Sequence, residues 1–293
     1  LLSDYKVLIL TTPEKDVPKI VREHWKEDNG EIDVDVRCKI WGCLNALAKH
    51  VAYDETLKNT DPDPMRSSVI FCRTIAASKI ISKAFNDMAG MPMSPRPLNV
   101  KHIDGKMRSM ERERLMTWLK KDDNIECHAL SNVRCLSEGV DVPALDSVIF
   151  MGSKSSLVDV VQSVGRVMRK AEGKKYGYII IPIVIPESED PEMALNNNDN
   201  YKIVWDVLRA LRSHDERLDA EINTFNMRKN NSKGHIHLGH VYGPSNQDTD
   251  EDYLPFSTGQ YSLDDFGGEL MARLVLKVGD REYIENWARN VAK

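Results

Sequence analysis

Val158-Asp-Val-Val-Gln-Ser-Val-Gly-Arg-Val-Met-Arg-Lys170 has the spacing of a short helix that carries two arginines on one face. At about 100° per residue, Gln162, Arg166 and Arg169 fall within roughly 60° of one another, while Val161, Val164, Val167 and Met168 take the other side. One face is therefore made for burial and the opposite one presents a Gln-Arg-Arg stripe. Small residues at Ser163 and Gly165 leave room for a ligand or a second domain to approach that stripe. Taken alone, such a helix is ordinarily a solvated arginine face, so its neighbours matter.

Upstream, Glu126-Cys-His-Ala-Leu130 reads as a buried strand, followed by Ser131-Asn132 and, a few residues on, by Glu138-Gly-Val-Asp-Val-Pro143, which leads into a further strand at Ser147–Phe150. Two such strands deliver the loop between them to one edge of a sheet. Gly139 permits positive φ or close backbone approach, and Asp141 offers a carboxylate to a ribose hydroxyl. By composition alone the same loop is an ordinary turn. Its order and distance from the arginine helix favour a site.

Strand Ser68-Val-Ile-Phe-Cys72 with Arg73-Thr74 after it, His102-Ile-Asp-Gly105, the loop Ser131 to Pro143 and the helix Gln162 to Arg169 resemble, in that order, helicase motifs IV, IVa, V and VI. Each is weak by itself, but four in sequence make a specific pattern. The chain thus resembles the second RecA-like domain of superfamily 2 helicases and translocases. The flanking segments Leu1 to Val7, Cys38-Lys-Ile-Trp-Gly-Cys-Leu-Asn45 and Trp205 to Arg217 narrow the resemblance to the predicted-helicase family of single-chain Type ISP restriction-modification enzymes.

The resemblance implies an α/β fold, a mainly parallel sheet with helices on both faces, followed by an α-rich helical appendix. It implies ATP with Mg as cofactor, held by a first RecA-like lobe. Arg166 and Arg169 would reach the γ-phosphate as fingers, Gln162 would position them or the attacking water, and Gly139 and Asp141 would line the nucleotide cleft. Preplaced guanidinium groups stabilise charge that develops on a transferred phosphoryl group. Arg73, Thr74, Asp104, Gly105, Ser131 and Asn132 match positions that contact a DNA backbone, with Arg134 either at the DNA or bracing the nucleotide loop. The implied partners are double-stranded DNA, the first lobe of the same parent chain, and nuclease and adenine methyltransferase domains of that parent. A strand-separating DNA or RNA helicase lobe and a degenerate DNA-binding scaffold are the alternatives.

No Gly-x-x-x-x-Gly-Lys-Ser/Thr loop and no Asp-Glu-x-His box occur in the chain, so it carries neither a P-loop phosphate cradle nor the usual Mg²⁺ box. The isolated chain is expected to be inactive toward ATP, and its start at Leu1 reads as that of a piece of a larger protein. A dinucleotide-binding domain is disfavoured for want of a Gly-x-Gly-x-x-Gly turn.

At 293 residues the chain can hold one sizeable α/β core and a smaller attachment, and its formal net charge of −5 argues against attraction of DNA to the whole surface. Any DNA contact must be local, and Lys101/Lys106/Arg108/Arg112/Arg114 and Arg166/Arg169/Lys170/Lys174/Lys175 are the basic groupings. Five cysteines form no Cys-x-x-Cys pair, and His235-x-His237-x-x-His240 is by default a His-rich loop or strand, so no metal site is expected. The odd number of cysteines, the lack of a signal peptide and the lack of a long apolar run lead to a cytoplasmic, non-membrane expectation.

Periodicity predicts strands at Tyr5–Leu10, Val69–Cys72, Asn99–Ile103, Glu126–Leu130, Ser147–Phe150 and Gly177–Val184. It predicts helices at Asp16–Lys26, Ile40–Val51, Ser78–Met88, Ser109–Lys120 and Leu157–Met168. Such alternation implies a parallel sheet covered on both faces. Residues 1–190 are expected to form the motor lobe and 191–200 a linker. Residues 201–293 are expected to form a helical coupler-like region, with a long helix at Tyr201–Phe225 and a polar, turn-rich stretch at 226–262.

Overall fold

The computed structural model describes residues 4–23, 32–51, 59–121, 125–133, 145–152, 165, 169–170, 174–186, 199–213, 215–224, 234–241, 270 and 273. Its strands are β1 (Asp4–Pro13), β2 (Ser67–Phe71), β3 (Leu98–His102), β4 (Cys127–Asn132), β5 (Ser147–Phe150), β6 (Tyr176–Ile185) and β7 (Ile236–His240). Its helices are α1 (Lys19–Glu23), α2 (Val34–Leu47), α3 (Ile75–Ala89), α4 (Ser109–Leu119), α5 (Asp199–Arg212) and α6 (Glu216–Thr224).

The seven strands form one sheet in the order β3-β4-β2-β5-β6-β1-β7, and every neighbouring pair is parallel. Its central strands are apolar almost throughout, as a sheet covered on both sides requires. Successive residues go to opposite faces. Val7 and Ile9 join Val69, Phe71 and Ile181 in one core with α4, α5 and α6. Leu8 and Leu10 join Ile70, Ile149 and Ile180 in the other, under α2 and α3. This is the RecA-like α/β architecture expected from the alternation of elements.

Several boundaries differ from the periodic expectation, and the larger differences have identifiable causes. Helix α2 begins at Val34, six residues before Ile40, because the Asp33 side chain accepts the Asp35 N–H at 3.3 Å and caps it. The charged residues Asp35, Arg37 and Lys39 mask this first turn in the sequence, where Lys39 bonds Asp35 one turn back at 2.6 Å. The helix stops at Leu47, and Lys49 adopts positive φ of 62°. The segment read as one long helix from Tyr201 is two, because Asp215 accepts the Arg217 N–H at 2.9 Å and starts α6 afresh. Inside the polar stretch 226–262, residues 236–240 form β7, which pairs with β1 from Val7↔Ile236 to Thr11↔His240.

The core continues past residue 190. Val204, Val207, Leu208 and Leu211 of α5 and Leu218 and Ile222 of α6 are buried in the same cluster as β1 and β6. The start of the region assigned to a coupler therefore packs directly on the sheet. Buried Glu221 ties it down, accepting the His235 N–H at 2.7 Å and the Ile236 N–H at 3.2 Å at the entry to β7.

Candidate nucleic-acid interface at the strand ends

In a parallel sheet the loops after the strands gather at one edge, which is where ligands of open α/β sheets bind. Strands β2, β3 and β4 are neighbours, and their C-terminal ends carry Arg73 and Thr74, Asp104 and Gly105, and Ser131 and Asn132. These six expected nucleic-acid residues are brought together there. The backbone links the three ends: the Cys72 N–H donates to Asn132 O at 2.8 Å and the Ile103 N–H to Ser131 O at 2.9 Å.

The six do different work. Arg73 is exposed, and its guanidinium makes no ion pair or hydrogen bond among the described residues. Thr74 is the N-cap of α3: its Oγ1 accepts the Ala77 N–H at 3.0 Å, and its exposed hydroxyl keeps a proton that it can donate to a ligand. The positive end of that helix dipole lies directly behind the Arg73-Thr74 pair, an arrangement that favours anions. Gly105 is exposed, with nothing within 4 Å of where a Cβ would stand, so a phosphate can approach its backbone closely.

Ser131 and Asn132, expected to meet phosphate, have no exposed surface. Ser131 Oγ donates to Ser78 O at 3.0 Å, and Asn132 Nδ2 donates to Ile70 O at 3.4 Å. As strand residues of a central strand, they hold the ends of β4, β2 and α3 together. Asp104 is also buried, at 7% exposure, with its carboxylate turned inward. The hydrogen bond from His102 holds that carboxyl below the usual range against the opposing effect of burial, helped by the Lys106 N–H.

Gln162, Arg166, Gly139, Asp141 and Arg134 lie outside the described residues. Arg169 is described and exposed, and it is not with the strand-end group. Its carbonyl accepts from Lys174 Nζ at 3.1 Å, and the same ammonium donates to Leu145 O at 2.5 Å, just before β5. Arg169 therefore sits by the N-terminal edge of the sheet.

That opposite edge holds a cavity of about 540 Å³ lined by Lys49, Asp61, Arg66, Asp146, Lys174 and Tyr178 among others. Asp61 Oδ2 accepts from Tyr178 OH at 2.6 Å and from Lys49 Nζ at 3.1 Å. Asp146 Oδ2 accepts the backbone N–H of Arg66 at 2.6 Å and of Ser67 at 3.2 Å. Burial lowers Lys49 despite Asp61, and it lowers Lys174 to about 8. The acids here serve the fold, pinning the starts of β2 and β6.

Cys38, Cys43, Cys72 and Cys127 are buried free thiols, and burial raises each of them, so none is a ready nucleophile. Among the described residues no group of three His, Cys, Asp or Glu side chains is arranged to hold a metal ion. His235 Nδ1 lies 3.0 Å from Glu221, His237 Nε2 lies 3.0 Å from Gly234 O, and His240 faces Thr11. No described helix is long and apolar enough to cross a membrane.

Residues 50–171 match the helicase conserved C-terminal domain family. Among solved structures, an ATP-dependent Type ISP restriction-modification enzyme, LlaBIII, bound to DNA, is 38% identical over 99% of this chain with a TM-score of 0.79. The chain spans 18% of that enzyme's length. A fragment of a putative HsdR subunit of a type I restriction enzyme from Vibrio vulnificus YJ016 is 21% identical over 62% of this chain and 32% of its own, with a TM-score of 0.38. The second domain of the DEAD-box helicase Mss116p, bound to an RNA duplex, is 18% identical over 76% of this chain and 74% of its own, with a TM-score of 0.36. No curated protein matches the chain. With motifs IV and IVa at strand ends of one parallel sheet and the Type ISP likeness running along almost its whole length, the chain holds, at residues 50–171, a helicase conserved C-terminal domain, in a RecA-like lobe similar to the part of the Type ISP enzyme that it matches.

Proposed function

We propose that this chain is the second motor lobe of an ATP-dependent translocase that moves on double-stranded DNA as part of a restriction-modification enzyme. The observation that carries the proposal is the gathering of an exposed Arg73, the capped start of α3 and the open Gly105 at one strand-end edge, in a chain similar throughout to an enzyme solved on DNA. Such groups bind phosphates without reading bases, so the contact is independent of sequence and sensitive to salt.

ATP and Mg²⁺ would be held by a first lobe, because this chain carries neither P-loop nor Mg²⁺ box. The bound nucleotide supplies the phosphoryl transfer whose energy drives lobe motion. Arg166 and Arg169 are the proposed fingers, with Gln162 positioning them and Gly139 and Asp141 lining the cleft. Arg169 is exposed at the edge of the sheet opposite the strand-end group, so the finger assignment rests on the motif resemblance and requires the first lobe to reach that edge. Residues beyond 200 are proposed to begin a coupler toward the nuclease and methyltransferase parts of the parent.

The test is ATP hydrolysis by the parent polypeptide with and without duplex DNA, comparing wild type with Arg166→Ala. Duplex should stimulate turnover, and the substitution should reduce it by a factor on the order of 10³. Wild-type turnover in the variant removes the finger assignment. Stimulation by single strands with strand separation favours a helicase instead.

A further inference from the structure

His102 forms the centre of a buried polar line that joins three of the motifs. Its side chain is 9% exposed. Nε2 lies 3.0 Å from Asp104 Oδ2 and Nδ1 lies 2.8 Å from Ser78 Oγ. A carboxylate accepts only, so Nε2 carries a proton and donates it to Asp104. Ser78 Oγ is in turn 2.9 Å from Ser131 Oγ. The line resembles a nucleophile with its base and orienting acid, but Ser78 has no exposed surface, so no substrate can reach its hydroxyl.

What the line does accomplish is seen at Asp104. One carboxylate oxygen is held by His102, and the other accepts the Lys106 N–H at 2.8 Å. The turn is closed by the Met107 N–H on Asp104 O at 3.3 Å. On its outer side Gly105 and Lys106 are exposed, the Gly105 N–H makes no hydrogen bond among the described residues, and Lys106 Nζ makes no ion pair there. An acidic residue at the centre of a phosphate-binding turn is otherwise a contradiction, because its charge repels the ligand.

We propose that His102 is a positioning residue that makes the Asp104–Met107 turn a phosphodiester subsite: it draws the Asp104 carboxylate inward, so that the turn offers only the Gly105 N–H and the Lys106 ammonium outward. Ser78, fixed by Ser131, sets the ring plane and ties the turn to the start of α3 and the end of β4. The inference rests on the DNA-backbone function proposed above and assigns a role to a residue that itself never touches DNA.

The test is duplex-DNA binding by the full 293-residue chain, followed by fluorescence anisotropy at low salt, with a thermal melt of each variant. Released toward a phosphate about 4 Å away in water, one carboxylate weakens binding about fivefold. His102→Phe should show that loss, and His102→Phe with Asp104→Asn should restore wild-type affinity, a rescue that a merely structural role of His102 would not produce. Asp104→Asn alone does not depend on how well the His102 variant folds. It should bind within about twofold of wild type, since an inward charge costs the ligand little. A double variant as weak as His102→Phe, wild-type binding by His102→Phe, or about fivefold tighter binding by Asp104→Asn would each overturn the proposal. If wild type binds and Arg73→Ala weakens it while the His102 and Asp104 variants show no coupling, only the role of His102 fails. If wild type does not bind duplex, the DNA function and this inference fail together.

Discussion

Replacing Arg73 by Ala separates the side chains that meet DNA from those that only hold the site. Arg73 is exposed and makes no ion pair among the described residues, so its charge is available to one phosphate. Neutralising one phosphate of duplex DNA contributes about 0.9 to the slope of log affinity against log salt. Counted as counterion release alone, one such contact is worth about 15-fold in affinity near 0.05 M salt and about 4-fold near 0.2 M. Arg73→Ala should therefore lower the slope by about 0.9 and lose its affinity mainly at low salt. The assay is anisotropy of a labelled duplex titrated with the 293-residue chain across that range. Ser131→Ala is the control: its hydroxyl is wholly buried on Ser78, so the slope should stay while stability falls by about 1–3 kcal/mol. An unchanged slope in Arg73→Ala, or an equal slope change in Ser131→Ala with an unshifted melt, would refute the division between exposed contacts and buried supports.

Asn86 on α3 grips the edge strand β3 as a neighbouring strand would, accepting the Val100 N–H at 2.7 Å and donating to Val100 O at 2.8 Å. Asn86→Ala should cost about 1–3 kcal/mol in urea unfolding, and a loss below about 0.5 kcal/mol would mean that water replaces both bonds. Glu221 is raised by burial but held below its ordinary 4.5 overall by the bonds from His235 and Ile236. A depressed carboxylate stabilises above its unfolded pKa, and the contribution is lost as pH falls through the folded value. Glu221→Gln should therefore flatten the acid side of the melting-temperature profile, and an unchanged acid limb would count against this carboxylate. Burial lowers Lys174 from 10.5 to about 8, with Asp146 opposing. Between those values the unfolded state binds the extra proton, so stability gains from rising pH in that window. Lys174→Met should remove the gain, and a melting difference from wild type that is constant from neutral to alkaline pH would contradict it.

Much of this was legible in the sequence. Runs such as Val69–Cys72 and Gly177–Val184 are apolar on both faces, and between them Ser78–Met88 and Ser109–Lys120 carry apolar residues at helical spacing. Only a doubly covered parallel sheet satisfies both patterns. Once the strands are parallel, the residues following β2, β3 and β4 share one edge, so Arg73, Thr74 and Gly105, singled out by the motif resemblance, lie together. The identity of the lobe came from motif order, which is a property of sequence.

Tertiary structure alone decided which of these residues face outward. Ser131 and Asn132 read in the sequence as following an apolar strand just as Arg73 does, yet β4 runs on through them, paired with His102 and Phe71, while Arg73 lies beyond the end of β2 and opens onto solvent, so identical sequence logic ends in burial for one and exposure for the other. His102 is linked to Ser78, 24 positions away, and to Ser131 beyond it, a meeting that no local pattern encodes. Strand β7 is hidden for the same reason: its His-rich, half-polar sequence becomes a strand because β1 offers an open parallel edge and Glu221 fixes its entry. Local spacing determines periodic elements and the order of motifs. Burial, pairing and the direction of a carboxylate depend on groups distant in sequence, and these are settled only when the chain packs.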